Sequence, residues 1–213
     1  MMARTLAAVA REVQGRLVGA DQPFAAVTTD TRALGAGSLF VAIPGDRFDG
    51  NDFVEEAFTK GAAGALVSRL GSSALAQIEV RDSRRALGAM ARAWRASFTI
   101  PLVAVTGSSG KTTVKELIAA ILGVSRSVCV TQGNLNNDIG VPLTLMRLAA
   151  EHDVGVIELG ANHAGEIDYL ASLAQPTVGV ITNAAADDRA ARPSRHIRRA
   201  ASRTLRDAPP RRS

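Results

Sequence analysis

The chain has 213 residues, 46% of them hydrophobic, with a formal net charge of +5. That is enough length and apolar content for a packed core, arranged as one large domain or two small ones. The positive charge is confined to one end: after Ala186 there are nine arginines against three aspartates, whereas the preceding residues carry 16 basic and 17 acidic side chains.

The body therefore lacks the basic stripe, interleaved with aromatics, that binding along a phosphate backbone requires, and no nucleic-acid partner is expected. Met1 to Ala10 has no sustained apolar segment after its arginine, and no apolar run is long enough to span a bilayer. Cys129 stands alone in an apolar stretch, which fits an inert buried thiol in a reducing compartment. These features predict a cytoplasmic chain with no membrane insertion, and a monomer is the simplest expectation.

In chain order, Thr5 to Val13 has helical periodicity with Thr5 as N-cap, and Arg16 to Gly19 is extended. Phe24 to Thr28 reads as a strand that runs into the polar cluster Thr29-Asp30-Thr31-Arg32. A second strand, Ser38 to Ile43, ends at Pro44-Gly45 and continues as Asp46 to Phe53, with Arg47 and Asn51 among its polar residues. Asp, Asn, Thr and Gly are ordinary turn residues, so turn chemistry alone accounts for both clusters. The functional alternative is that adjacent strand ends present hydroxyl, carboxylate and guanidinium groups to a polar small molecule. A helix over Asn51 to Lys60, strands at Gly64–Val67 and Gln77–Val80, and a helix from Asp82 or Ser83 through Trp94 complete an alternating α/β module.

Val103 to Val105 is a short buried strand, and Val114 to Leu122 is apolar on one helical face. Between them lies Thr106-Gly107-Ser108-Ser109-Gly110-Lys111-Thr112-Thr113. Gly107 and Gly110 allow the backbone to turn so that successive N–H groups converge on an anion at a helix N-terminus. Lys111 is placed to reach the β- and γ-phosphates of a nucleotide, and the Thr112 hydroxyl to ligate Mg2+. The full G-x-x-x-x-G-K-[ST] pattern asks for glycine where Val105 stands, so the match is to the shorter G-x-x-G-K-T.

Arg126 to Val130 is the next strand, followed by a loop from Thr131 to Pro142 that crowds Asn134, Asn136, Asn137 and Asp138 among glycines. Thr144 to Leu148 resumes a helix. Val154 to Glu158 reads as a buried parallel strand with its carboxylate at the C-terminal end, where open α/β sheets bind ligands. Glu158 is thus a Mg2+ ligand opposite Thr112 or, failing that, a solvated or capping glutamate. His163 is a neighbour of the site, Gly165 to Ala174 a helix, and Thr177 to Ile181 a strand that ends at Thr182-Asn183.

Three of these stretches, Thr106 to Thr112, Gly133 to Pro142 and Ile157 to Ile167, closely resemble the Mur ligase family, and the resemblance runs from about Thr5 to Asn183. Within that family the second and third motifs are most similar to the branch that joins D-alanyl-D-alanine to UDP-N-acetylmuramoyl-tripeptide in peptidoglycan precursor synthesis. The resemblance implies a small N-terminal α/β module, residues 1–97, holding the UDP-sugar end of the substrate through Thr29, Asp30, Thr31, Arg32, Arg47 and Asn51. It implies an incomplete central P-loop domain, residues 98–183, with a mostly parallel sheet. There, Gly107 to Thr113 would bind ATP, Lys111 and Glu158 would act in catalysis, Thr112 and Glu158 would hold Mg2+, and Asn134, Asn136, Asn137 and Asp138 would contact substrate. The reaction it implies is ATP-dependent: a carboxylate is activated as an acyl phosphate and then attacked by an amine.

The sequence also departs from that pattern. The family continues with a metal-binding His and then a Lys that many members carbamylate; here Ala184 to Arg189 follow, and no Lys lies after Lys115. His196, flanked by arginines, does not match the family's His. Residues 184–213 read as an Arg/Ala/Pro-rich tail, disordered or arising from a reading-frame shift or aberrant gene end, with a basic interaction tail as the alternative. The functional expectations are accordingly a ligase impaired in this chain, a noncatalytic nucleotide- or UDP-sugar-binding remnant, or a sister ligase adding another amino acid.

Overall fold

The computed structural model describes residues 4–45 and 47–183; the expected arginine-rich tail lies outside the described residues, as does Asp46 in the second polar cluster. The chain divides into two compact units, Met1–Ala93 and Trp94 onward.

In the first unit the elements run β1 (Arg4–Thr5), α1 (Leu6–Glu12), β2 (Arg16–Val18), β3 (Pro23–Phe24), β4 (Val27–Thr28), β5 (Leu39–Val41), α2 (Val54–Thr59), β6 (Gly64–Val67), β7 (Gln77–Glu79) and α3 (Ser83–Ala96). Thr5 caps α1 as expected, its hydroxyl accepting the Ala8 N–H. The five-stranded sheet has the order β2-β7-β6-β5-β4, parallel throughout except for β2. Phe40, Ala42, Ala65 and Val67 from its strands pack with Val54 and Ala57 of α2 into a core.

Two expectations change here. The single strand read over Phe24 to Thr28 is split, because Phe24 pairs antiparallel with Arg4 while Val27 and Thr28 pair parallel with β5. The helix read from Asn51 begins at Val54, preceded by a 3-10 turn over Gly50–Phe53 that Asp49 caps through the Asn51 N–H. A period-based reading cannot see either event, since the first is set by which strand lies alongside and the second by a side-chain cap.

The second unit begins within α3. Trp94 donates through its indole N–H to the Leu148 carbonyl, and the buried Arg95 guanidinium donates to the carbonyls of Phe98, Ile100 and Ala174. These bonds satisfy a cation that would otherwise be costly to desolvate. There follow β8 (Leu102–Thr106), α4 (Lys111–Gly123), β9 (Val128–Val130), α5 (Gly140–Met146), β10 (Val154–Glu158), α6 (Glu166–Ala174) and β11 (Val178–Ile181). The four strands form one all-parallel sheet in the order β11-β8-β10-β9. Helix α5 starts at Gly140, earlier than the Thr144 read from periodicity. Pro142 sits in its first turn, where a missing N–H costs nothing, and the Asn137 side chain accepts the Ile139 and Gly140 N–H groups.

Right-handed crossovers fix the faces. The connection from β8 to β9 moves one way along the sheet, and those from β9 to β10 and from β10 to β11 move the other way. Helix α4 therefore covers one face, and α5 and α6, which touch each other, cover the opposite one. Among the described residues no helix is long and apolar enough to cross a membrane.

Lys115 lies on the face of α4 turned toward the sheet and is fully buried. Its ammonium donates to the Thr131 carbonyl at 2.9 Å and pairs with the half-exposed Glu116 carboxylate at 2.7 Å. Truncation leaves a void and strips Thr131 of this partner, so Lys115→Ala should lower the stability of the second unit by about 3 kcal/mol. Lys115→Met, which keeps the apolar stem, should lose less than half as much. Urea unfolding followed by Trp94 fluorescence measures both; equal losses would show that the stem, not the charge, is irrelevant to the packing.

Candidate functional site

All four strands of the second sheet are parallel, so their C-terminal ends lie along a single edge. From one side to the other that edge carries Thr182-Asn183 after β11, the glycine loop after β8, Glu158 to Gly160 at the end of β10, and Thr131 after β9. The connections leaving β8 and β10 depart to opposite sides, which makes the gap between these two strands a topological switch point, the place where open α/β sheets take ligands.

The loop after β8 has the geometry the sequence predicts. Gly110 adopts φ 77° at the N-cap of α4, and Gly107 adopts φ 139° with a Cβ position that would collide with the Thr182 hydroxyl. The first intrahelical bond runs from the Val114 N–H to the Gly110 carbonyl. The N–H groups of Lys111, Thr112 and Thr113 therefore have no acceptor within the helix, and they face out of its positive end. The Lys111 ammonium folds back onto the loop, donating to the Gly107 carbonyl at 2.7 Å and reaching Ser108 O at 3.5 Å. Thr112 and Thr113 are exposed at this helix end.

The loop differs from expectation at Ser108 and Ser109. Their N–H groups are engaged by Asn183: Ser108 N donates to its backbone carbonyl at 3.2 Å and Ser109 N to its Oδ1 at 3.0 Å. The N–H groups without an acceptor inside the helix thus lie at the helix end, starting two residues after Ser109.

Glu158 is 2% exposed and sits beside that loop, opposite Val105 in the β8–β10 register. Its N–H donates to the Thr131 hydroxyl, and its Oε1 accepts from the Asn136 side chain at 2.8 Å. Its Oε2 is buried with no hydrogen-bond partner. A buried carboxylate oxygen without a donor is costly, and its environment suits a cation or a donor supplied by a ligand. The residues fit Mg2+, which binds through one or two protein oxygens together with substrate phosphates and water. Among the described residues no group of three or more His, Cys, Asp or Glu side chains forms a metal cage.

Of the asparagine loop, the structure brings Asn136 to Glu158, and the Asn136 carbonyl also accepts the Gly160 N–H. Asn137 is used as the cap of α5, and Asn134 stands exposed on the loop's outer side. Asp138 is partly buried just before α5. His163 is exposed and hydrogen-bonded to Glu166, whose carboxylate also accepts the Asn162 and His163 N–H groups and so ties the loop before α6 to its first residue. Those bonds, the Asn162 N–H foremost, hold the Glu166 carboxyl below its ordinary range.

In the first unit the predicted residues also gather at C-terminal ends of parallel strands. Asp30 accepts from the Arg32 Nε and Nη2, which with the Arg32 N–H holds its carboxyl at about 2 while leaving the Arg32 head group exposed. Thr29 follows β4, half-buried, and the Thr31 carbonyl accepts from the Lys60 ammonium. Arg47 and Phe48 are exposed on the turn closed by the Pro44–Asp49 bridge. Asn51 does something else. Its Nδ2 donates to Asp49 and Ser68, and its Oδ1 accepts the Ser68 and Arg69 N–H groups, so three of its four side-chain bonds latch this loop to the end of β6 and the fourth closes the turn at Asp49. Asn51 is a loop latch rather than a group open to a ligand.

Sequence reasoning missed Thr131, Thr182 and Asn183 as members of the site. Each is an unremarkable polar residue at a strand end, and only the strand order puts it next to the glycine loop or to Glu158. Lys115 did carry a signal, a lysine on the apolar face of an amphipathic helix.

Comparison with known proteins bears on the family and the fold. Residues 23–95 match the model described as Mur ligase family, catalytic domain, and residues 105–188 match the Mur ligase middle domain. The chain is 50% identical over 186 residues to the UDP-N-acetylmuramoyl-tripeptide–D-alanyl-D-alanine ligase of Escherichia coli, covering 87% of this chain and 41% of that protein. A solved Acinetobacter baumannii UDP-N-acetylmuramoylalanyl-D-glutamyl-2,6-diaminopimelate–D-alanyl-D-alanyl ligase superposes with a TM-score of 0.78 at 37% identity, covering 85% of this chain and 42% of that one. The MurF ligase of Thermotoga maritima, solved in complex with ADP, gives a TM-score of 0.68 at 36% identity, covering 74% of this chain and 37% of the other. The chain spans about two fifths of the length of the curated relatives it matches. With both of its units matched by models of that family, the chain belongs to the Mur ligase family.

Proposed function

We propose that this chain supplies the UDP-sugar module and the nucleotide site of an ATP-dependent ligase that joins D-alanyl-D-alanine to UDP-N-acetylmuramoyl-tripeptide. The observation that carries the proposal is the unpartnered, buried Oε2 of Glu158 next to a glycine loop whose helix presents N–H groups and a lysine. Phosphoryl transfer to a carboxylate demands little covalent chemistry of a protein and much positioning and charge stabilisation. The Gly110 to Thr113 backbone and the helix dipole would hold the nucleotide's β- and γ-phosphates. Lys111 would leave its resting bond to the Gly107 carbonyl and offset the negative charge that shifts during transfer.

Thr112 and Glu158 are the residues that would hold Mg2+, whose chemistry is to neutralise phosphate oxygens and orient the terminal phosphoryl group. Asn136 keeps Glu158 from rotating away by donating to its other oxygen. The D-alanyl-D-alanine amine would then attack the acyl phosphate, displacing phosphate and forming the amide. In the first unit, the exposed Arg32 and Arg47 head groups and Thr29 are the groups open to a diphosphate sugar.

Calorimetry on the 213-residue chain should detect Mg2+-dependent binding of ADP or a non-hydrolysable ATP analogue, and Lys111→Ala should weaken it by about a hundredfold. A folded chain that binds neither nucleotide overturns the proposal. Glu158→Gln keeps an acceptor for Asn136 but removes the charge, so nucleotide binding should need about tenfold more Mg2+ while binding without the metal stays the same; an unchanged Mg2+ requirement would remove Glu158 from the metal site. Phosphate release that requires both UDP-N-acetylmuramoyl-tripeptide and D-alanyl-D-alanine would establish turnover, whereas binding without release would mark a noncatalytic chain.

A further inference from the structure

We propose that Thr182 and Asn183 are positioning residues for the phosphate loop, clamping Gly107 to Ser109 so that the amides from Gly110 to Thr113 are presented as a preset anion site. The proposal rests on the nucleotide reading of that loop. Strand β11 lies parallel to β8 with Ile181 opposite Thr106, and the pairing does not stop where the strand ends. The Thr182 N–H donates to the Thr106 carbonyl at 2.9 Å, and the Thr182 hydroxyl reaches the Ser109 carbonyl at 2.5 Å. Asn183 continues the seam with three bonds: its carbonyl accepts the Ser108 N–H, its Oδ1 accepts the Ser109 N–H, and its Nδ2 donates to the Ser109 hydroxyl at 2.9 Å.

A glycine-rich loop has high conformational entropy, and an unrestrained one would have to be ordered at the moment of binding. Here the ordering is done beforehand by a neighbouring strand. Close approach is possible because residue 107 has no side chain: a Cβ there would strike the Thr182 hydroxyl. The chemistry of the clamp also fits its place. The neutral side-chain amide of Asn183 satisfies the Ser109 N–H and the Ser109 hydroxyl without adding negative charge beside a polyphosphate, which an aspartate would do.

The clamp makes two separable predictions. In the nucleotide-free chain, the Ser109 amide should exchange slowly with solvent although Asn183 is itself exposed, and Asn183→Ala should speed that exchange by about tenfold or more. A Ser109 amide that already exchanges freely in the unsubstituted chain overturns the clamp, whether or not nucleotide binds. Asn183→Ala and Thr182→Val should each weaken Mg-ADP binding by about tenfold, the effect of losing two or so hydrogen bonds, with the melting temperature of the free chain unchanged. Unaltered affinity would overturn the inference. So would tighter binding to Asn183→Ala, because it would mean that the Asn183 side chain competes with phosphate for the Ser109 amide. If the unsubstituted chain fails to bind Mg-ADP while Ser109 is protected, the nucleotide reading fails and the clamp stands as a loop-ordering device.

Discussion

The parallel pairing of β8 with β10 is the constraint on which the site depends. It puts Val105 opposite Glu158 and lets the Thr106 hydroxyl donate to the Leu159 carbonyl, so the glycine loop and the carboxylate leave the sheet side by side. Neither group could find the other through local sequence, since they are about fifty residues apart along the chain. The pairing is itself enforced by burial: Leu102, Ala104, Val105, Val156 and Ile157 are all inaccessible to solvent, and a register slip would turn them outward or leave ladder groups unpaired.

Around that pair the polar residues divide by task. Thr131, Asn136, Thr182 and Asn183, themselves neutral, hold other parts of the edge in place through hydrogen bonds. Lys111 and Glu158 carry the charges, and Glu158 keeps one oxygen without a protein partner. Lys115 belongs with the first group despite its charge. Its ammonium fixes the carbonyl of Thr131, whose hydroxyl in turn accepts the Glu158 N–H, so α4 is tied to both β9 and the end of β10. A buried polar network that is fully satisfied at every point but one directs attention to that point.

Much of this was legible in the sequence because the relevant signals are short and local. The apolar run, Gly107, Gly110 and Lys111 announce a strand, a turn and a helix in order, and Val154 to Glu158 announces a buried strand with a carboxylate at its end. Less legible were features that depend on neighbours. The division of Phe24 to Thr28 between two pairings, the early start of α5 under the Asn137 cap, and the use of Asn51 as a latch all follow from contacts the sequence does not display. Ser108 and Ser109 show the same limit within a motif: the loop's pattern gives its conformation, but the partner of its amides is decided by β11, which arrives about seventy residues later.

The most direct measurement is the backbone amide spectrum of the isotopically labelled chain, recorded with and without Mg-ADP. The largest shifts should fall at Gly110, Lys111, Thr112 and Thr113, with a Mg2+-dependent change at Glu158, while Ser108 and Ser109 move little. Shifts absent from the start of α4 and from Glu158, in a chain that remains folded, would contradict a nucleotide site at the junction of β8 and β10.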